Sequence, residues 1–398
     1  MKINTDSNKI QEVLTRGVEN IYPNKEFLEK KLSVGEQLTI YTGYDPTAPS
    51  LHIGHGITMM KLRQLQDMGH KIIALIGDFT AMIGDPTDKS AARQQLTREE
   101  VLANCQEYQK QMSGILNFSE DNPVEIKYNS EWLAKMNLGD VLNLASYFTV
   151  QQMLERDMFQ KRITEAKPIY LHEFLYPLMQ GYDSVVMDVD GEVGGNDQTF
   201  NMLVGRDLMK DMKNKEKFVI TLKLLADNST GKKMSKSEGN AIFLSDSSED
   251  IFGKVMSWPD EMILSGFELC TKTPMMEITE MDKKMKVGDN PRDFKLRLAE
   301  EVADNFLGEG AGQKGLAHFE KVIQSKALPD EILEIKPSKY DIITVLVEAK
   351  ICDSTSQARQ MIKQNAVSVN DEKIEDIDLK IKADDIVKKG SRFFVKVI

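Results

Sequence analysis

The chain has 398 residues, 41% of them hydrophobic and 28% charged, with 51 Lys and Arg against 62 Asp and Glu for a net charge of −11. These are the proportions of a globular protein long enough for two or three cored domains. No apolar run approaches the length of a membrane span and residues 1–7 hold no apolar signal core, so a cytoplasmic protein without membrane attachment is expected. The acidity speaks at first sight against nucleic-acid contact. It is unevenly spread, however: from Lys336 onward 12 Lys and Arg face 10 Asp and Glu, so an RNA surface belongs in the tail. Cys105, Cys270 and Cys352 are odd in number and far apart, which fits reduced thiols and offers no metal-ligand spacing.

In chain order, residues 37–44 read as a strand, residues 45–50 as a tight polar turn and residues 57–68 as an amphipathic helix. His52-Ile53-Gly54-His55 therefore sits at a strand-to-helix turn. Gly54 and Gly56 leave room for a nucleotide against the backbone, and the helix N-terminus offers amides and a positive dipole end to phosphate. Two imidazoles there can donate to the same anion; the plainer alternative is that they only cap and pack the helix. Lys71–Ile76 follows as a strand and residues 99–116 as a helix. Residues 171–183, if helical, put Tyr176, Gln180 and Asp183 on one face, with Pro177 requiring a helix start or kink. Residues 185–190 read as a strand, 197–212 as a helix and Phe218–Leu222 as a strand. This alternation predicts an α/β fold, a doubly wound, Rossmann-like parallel sheet whose ligands bind beyond the carboxyl ends of its strands.

Residues 227–240 contain Lys232-Lys233-Met234-Ser235-Lys236-Ser237 among turn formers. Alone, such a loop is a solvated turn. Beside the histidine turn, Lys232, Lys233 and Lys236 become point charges able to close over a triphosphate and neutralise departing pyrophosphate. After Asp250 the pattern turns helical, at residues 261–269, 274–285 and 292–305, and residues 327–338 look like a linker. The last sixty residues form a separate α+β unit. There Ser354-Thr355-Ser356 opens a helix, Arg359 and Lys363 lie one turn apart, and residues 365–371 read as helix end, short strand and turn.

These residues resemble the class I aminoacyl-tRNA synthetases, and within them the bacterial-type tyrosine-tRNA ligases, over nearly the whole chain. The resemblance rests on both phosphate motifs, on Tyr41-Thr42-Gly43-Tyr44-Asp45-Pro46-Thr47, on Ile83-Gly84-Asp85-Pro86, on Tyr176, Gln180 and Asp183, and on Gly194-Gly195-Asn196-Asp197-Gln198. It implies that Asp183 and Tyr41 meet a phenolic hydroxyl and that Tyr176, Gln180 and Asp85 hold an α-ammonium group. Gln198 would reach the amino acid, while Gly43, Gly54, Gly195 and Asp197 would hold ATP. Thr47, His52, His55, Lys233 and Lys236 would stabilise the transferring phosphate, with magnesium on the ATP and with Lys89 and Arg93 closing on pyrophosphate.

The family's commoner pattern has a glutamine where Glu192 stands, which leaves Glu192 without an assigned role. The family also implies a catalytic domain over 1–250 and a helical anticodon-binding domain over 251–330. A linker over 331–338 and a ribosomal-protein-type RNA-binding module over 339–398 would follow, with Arg359 and Lys363 on the tRNA backbone. The module usually carries glycine at the position of Asn365. A homodimer built on residues 141–162 is implied as well. Two rivals remain open: a tryptophan-specific relative and a catalytically silent RNA-binding paralogue.

Overall fold

The computed structural model describes residues 3–85, 96–119, 121–227, 232–233, 241–321, 333–352, 354–363, 366–370, 372–374, 376–389 and 393–398. For Asp157, Asp227, Lys232 and Lys233 the description is of the backbone alone. Two units separate along the chain, Met1–Gly312 and Gln313–Ile398.

In the first unit, one sheet is built from β1 (Val18–Tyr22), β2 (Thr39–Tyr44), β3 (Lys71–Ile76), β4 (Glu125–Tyr128), β5 (Gly191–Gly195) and β6 (Phe218–Leu222). Their spatial order is β1-β6-β5-β2-β3-β4. The strand β1 runs antiparallel to β6 and every other pairing is parallel. Apart from Lys71, every residue of β3 and β6 is buried, as the near-continuous apolar runs of a sheet covered on both faces require. Strand order reverses between β2 and β5. At such a switch point the neighbouring loops diverge and leave a crevice beyond the carboxyl ends. A two-stranded hairpin, β7 (Ala226–Asp227) with β8 (Lys232–Lys233), follows β6.

In this unit, two elements differ from the sequence reading. Residues 185–190 are not a strand: the helix Leu171–Met187 continues through Val185, which packs with Leu178, Val204 and Leu208, and ends at Asp188 with a left-handed φ of 50°. The strand that follows is the glycine-rich β5. Its propensity is poor, yet Gly191 is needed because a Cβ there would overlap the Phe218 ring. The helix expected over 99–116 is two, Arg98–Cys105 and Tyr108–Met112. The helices Ser7–Thr15 and Lys25–Ser33 and the edge strand β1 lie ahead of the elements read from the sequence.

Downstream lie the helices Ile263–Cys270, Met275–Lys286 and Pro291–Leu307. The buried Arg16 guanidinium donates to the carbonyls of Phe267, Glu268, Thr271 and Thr273, satisfying the open end of the first of these helices.

The second unit is a five-stranded sheet of order β11-β10-β12-β13-β9, from β9 (Leu333–Ile335), β10 (Val367–Val369), β11 (Glu372–Lys373), β12 (Ile386–Lys389) and β13 (Phe393–Val397). Leu333–Ile335, read from sequence as linker, is a strand parallel to β13. The helices Ile342–Glu348 and Thr355–Lys363 bury Ile342, Val345, Leu346, Ala358 and Ile362 in its core. Asn365 lies outside the described residues.

Candidate active site

A cavity of about 370 Å³ opens at the switch point. Tyr41, Gly43, Thr47, His52, Gly54, His55, Asp85, Tyr176, Gln180, Asp183, Gly195, Asp197 and Gln198, all named from sequence, line it together. Lys89, Arg93 and Lys236 lie outside the described residues, and Lys233 is described only as backbone in β8. Arg359 and Lys363 are exposed on the helix Thr355–Lys363, whose Ala358 and Ile362 are buried.

The histidine turn is built by its own capping. His52 is the N-cap of the helix Ile53–Asp67; its Nδ1 accepts from the Gly54 amide at 3.1 Å, and His55 Nδ1 accepts from the His52 amide at 3.1 Å. A nitrogen that accepts an N–H carries no proton of its own, so each neutral ring keeps its hydrogen on Nε2. The rings stack with centroids 3.8 Å apart. Capping and anion binding are therefore not rivals: the caps choose the tautomer that leaves Nε2–H as donor. Gly54 permits this, since a Cβ there would lie 2.9 Å from the His52 ring. Gly56 does something else. Its missing side chain seats the Phe306 ring, which a Cβ would approach to 2.6 Å, whereas Gly43 faces open space.

The segment beyond the lysine-rich stretch returns to this turn. The Ile53 amide donates to Ile242 O at 2.8 Å and the Leu244 amide to Leu51 O at 2.8 Å, with His52 bridged antiparallel to Phe243. On the other side, Leu224 and Leu225 line the cavity just before β7. Residues flanking the lysines at both ends thus meet the histidine turn or its cavity.

Side chains far apart in sequence build the remaining wall. Asp183 is buried and accepts from Trp132 Nε1 at 2.7 Å and Asn129 Nδ2 at 3.3 Å. Burial pushes its carboxyl well above the usual carboxylate range, against the pull of those two donors. Tyr41 is fully buried, its hydroxyl 2.8 Å from Ser184 Oγ. Asp45 accepts from Thr80 Oγ1 and from the Tyr176 hydroxyl, both at 2.7 Å. It reaches them because a Cβ on Gly77 would overlap its Oδ1. Asp85 accepts from Gln198 Nε2 at 2.7 Å and lies 3.6 Å from Arg156.

Glu192 is buried with Lys217, 2.5 Å away. It also accepts from Gln180 Nε2 at 3.1 Å, and Lys217 Nζ donates to Ser184 Oγ at 2.8 Å. The sequence reading named Asp45 only within its motif, without a role, and missed Asn129, Trp132, Arg156 and Lys217. Only Lys217, a charge abutting the apolar run of β6, left a trace.

A family model described as tRNA synthetases class I (W and Y) matches residues 33–324, and one described as the tyrosine–tRNA ligase SYY-like C-terminal domain matches residues 323–395. The tyrosine–tRNA ligase of Carboxydothermus hydrogenoformans is 44% identical over 97% of this chain and 97% of its own. That of Haemophilus influenzae is 42% identical over 99% and 98%. In fold, the chain is similar to a C-terminally truncated Aspergillus nidulans mitochondrial tyrosyl-tRNA synthetase, with a TM-score of 0.67 at 22% identity over 79% of this chain and 94% of that one. The chain belongs to the class I tRNA synthetases, and within them to the tyrosine–tRNA ligase family.

Proposed function

We propose that the enzyme attaches tyrosine to its tRNA in two steps at this cavity. The tyrosine carboxylate attacks the α-phosphate of ATP, forming tyrosyl-adenylate as the bond to pyrophosphate breaks. The terminal ribose hydroxyl of the tRNA then takes the tyrosyl group and releases AMP. The observation that carries the reading is that one cavity is lined both by a buried carboxylate, Asp183, and by the two capped imidazoles.

In this reading the phenolic hydroxyl lies between Asp183 and Tyr41. A carboxylate with two donors still has lone pairs for a third. Phenylalanine would leave that polar pair unanswered, and indole has no hydroxyl to answer it. The ammonium group lies among Asp85, Tyr176 and Gln180, with Gln198 steadying Asp85. Gly43, Gly54, Gly195 and Asp197 take the adenosine and ribose. Thr47, His52, His55, Lys233 and Lys236 stabilise charge on the phosphates, and Lys89 and Arg93 follow the pyrophosphate; alignment and fixed dipoles supply the catalysis. Magnesium enters with the nucleotide as part of the substrate.

Residues 1–250 form the catalytic domain in this scheme, 251–330 contact the anticodon, and 339–398 with β9 bind tRNA through Arg359 and Lys363. The enzyme works in the cytoplasm as a homodimer. Exposed Leu142 and Val150, on the helices Leu138–Ala145 and Val150–Leu154, favour a pairing through residues 141–162.

Amino-acid-dependent pyrophosphate exchange into ATP, run across the twenty standard amino acids, tests the function. Tyrosine alone should drive it. Exchange driven by tryptophan would reassign the chain to the tryptophan-specific relatives, and RNA binding without ATP binding would leave a silent paralogue.

A further inference from the structure

The buried pair Glu192–Lys217 touches both parts of the amino-acid wall. Through Glu192 it reaches Gln180, and through Ser184 it reaches the Tyr41 hydroxyl. Ionised Glu192 only accepts hydrogen bonds, so Gln180 must turn its amide nitrogen toward it. The Gln180 carbonyl oxygen is then left for the cavity, which Gln180 lines. Lys217 only donates, and its ammonium pairs with Glu192 Oε2 at 2.5 Å, which leaves Oε1 to accept from Gln180. The ammonium sits against a helix glycine, Gly205, where a Cβ would lie 2.6 Å from Nζ. The site is thus fitted to a lysine.

We infer that Glu192 and Lys217 are positioning residues that fix the orientation of the Gln180 amide, making it an acceptor for the α-ammonium group of the amino-acid substrate. The inference rests on the tyrosine-activating reading above. Beside Lys217, a glutamine at 192 would have to give its oxygen to the lysine and its amide nitrogen to Gln180. Gln180 would then flip and present N–H groups to a cation.

The test is Glu192→Gln, which preserves shape, assayed by tyrosine-dependent pyrophosphate exchange. KM for tyrosine should rise about tenfold or more, with KM for ATP and kcat within about twofold of the parent. Competitive inhibition by 3-(4-hydroxyphenyl)propanoate, which lacks the ammonium group, should hardly change. In Glu192→Gln combined with Lys217→Met, nothing dictates the glutamine's orientation, and part of the tyrosine affinity should return. An unchanged KM for tyrosine in Glu192→Gln, equal weakening of tyrosine and of the deaminated analogue, or a double variant worse than Glu192→Gln would overturn the inference. Failure of the parent enzyme itself to exchange with tyrosine would instead overturn the functional reading.

Discussion

The phosphate side and the amino-acid side of the cavity are built by opposite means. At the histidine turn, contiguous residues do the work: two imidazoles cap a helix, and the backbone amides they accept from set their tautomers. On the amino-acid wall, Asp183, Glu192 and Lys217 are titratable side chains buried at 3% exposure or less, each held by side chains from other elements. Local backbone chemistry tolerates exchange of neighbouring side chains, because the donors belong to the main chain. A buried charge network does not, because removing one member strands the others.

The sharpest trial of that contrast is Asp183→Asn, which keeps the shape and replaces one acceptor oxygen with an amide donor. An amide cannot accept from Trp132, Asn129 and a phenol together, so kcat/KM for tyrosine should fall roughly 1,000-fold, about 4 kcal/mol. A loss below about tenfold, measured by pyrophosphate exchange, would mean that the carboxylate is structural. On the phosphate side, His52→Asn retains an N-cap acceptor while deleting Nε2–H. Stability should stay within about 1 kcal/mol of the parent. Adenylate formation should slow about 100-fold with tyrosine binding nearly intact, and an unchanged rate would reduce the imidazole to a cap.

Between the two sides runs β2, and its start is pinned by His70, whose Nδ1 accepts from the Leu38 amide at 3.2 Å. Burial lowers the His70 pKa to about 4, against the pull of Asp190. The unfolded chain, with a pKa near 6.5, binds this proton first, so the contribution is complete above about pH 6.5 and is lost as pH falls toward 4. The loss reaches about 3 kcal/mol. His70→Asn should flatten this limb in urea unfolding followed between pH 4 and 7, whereas parallel curves would place the proton elsewhere. The smallest effect is expected away from the cavity: Arg359→Ala or Lys363→Ala should weaken tRNA binding by about 1 kcal/mol each and lower the salt slope by about 1. Tyrosine-dependent exchange without tRNA should be untouched by either.

The same contrast explains what could be read from the sequence. The strands β3 and β6 were legible to the residue because a sheet buried on both faces writes itself as an unbroken apolar run. The histidine turn was legible because its parts are adjacent. By comparison, β5 was misplaced: Val185 and Val186 carry β propensity, and the real strand begins at a glycine chosen for the ring of Phe218. Tyr176, Gln180 and Asp183 could be grouped by helical spacing. Their partners Asp45, Trp132 and Asn129, and Lys217 as the partner of Glu192, could not, since only the strand order brings residues 45, 130 and 217 to one place. Gly56 shows the limit of residue-type reasoning, for its absent side chain seats Phe306 some 250 positions later, a neighbour that only the fold supplies.

The two main-chain bonds joining residues 51 and 53 to residues 242 and 244 form a seam that owes nothing to side chains. Point substitutions can rewrite what the turn or the returning segment displays, yet nearly all of them leave both stitches in place. Only proline at 53 or 244 deletes an amide and unpicks one. The join between residues 51–53 and 242–244 therefore survives exchange of the side chains on either segment.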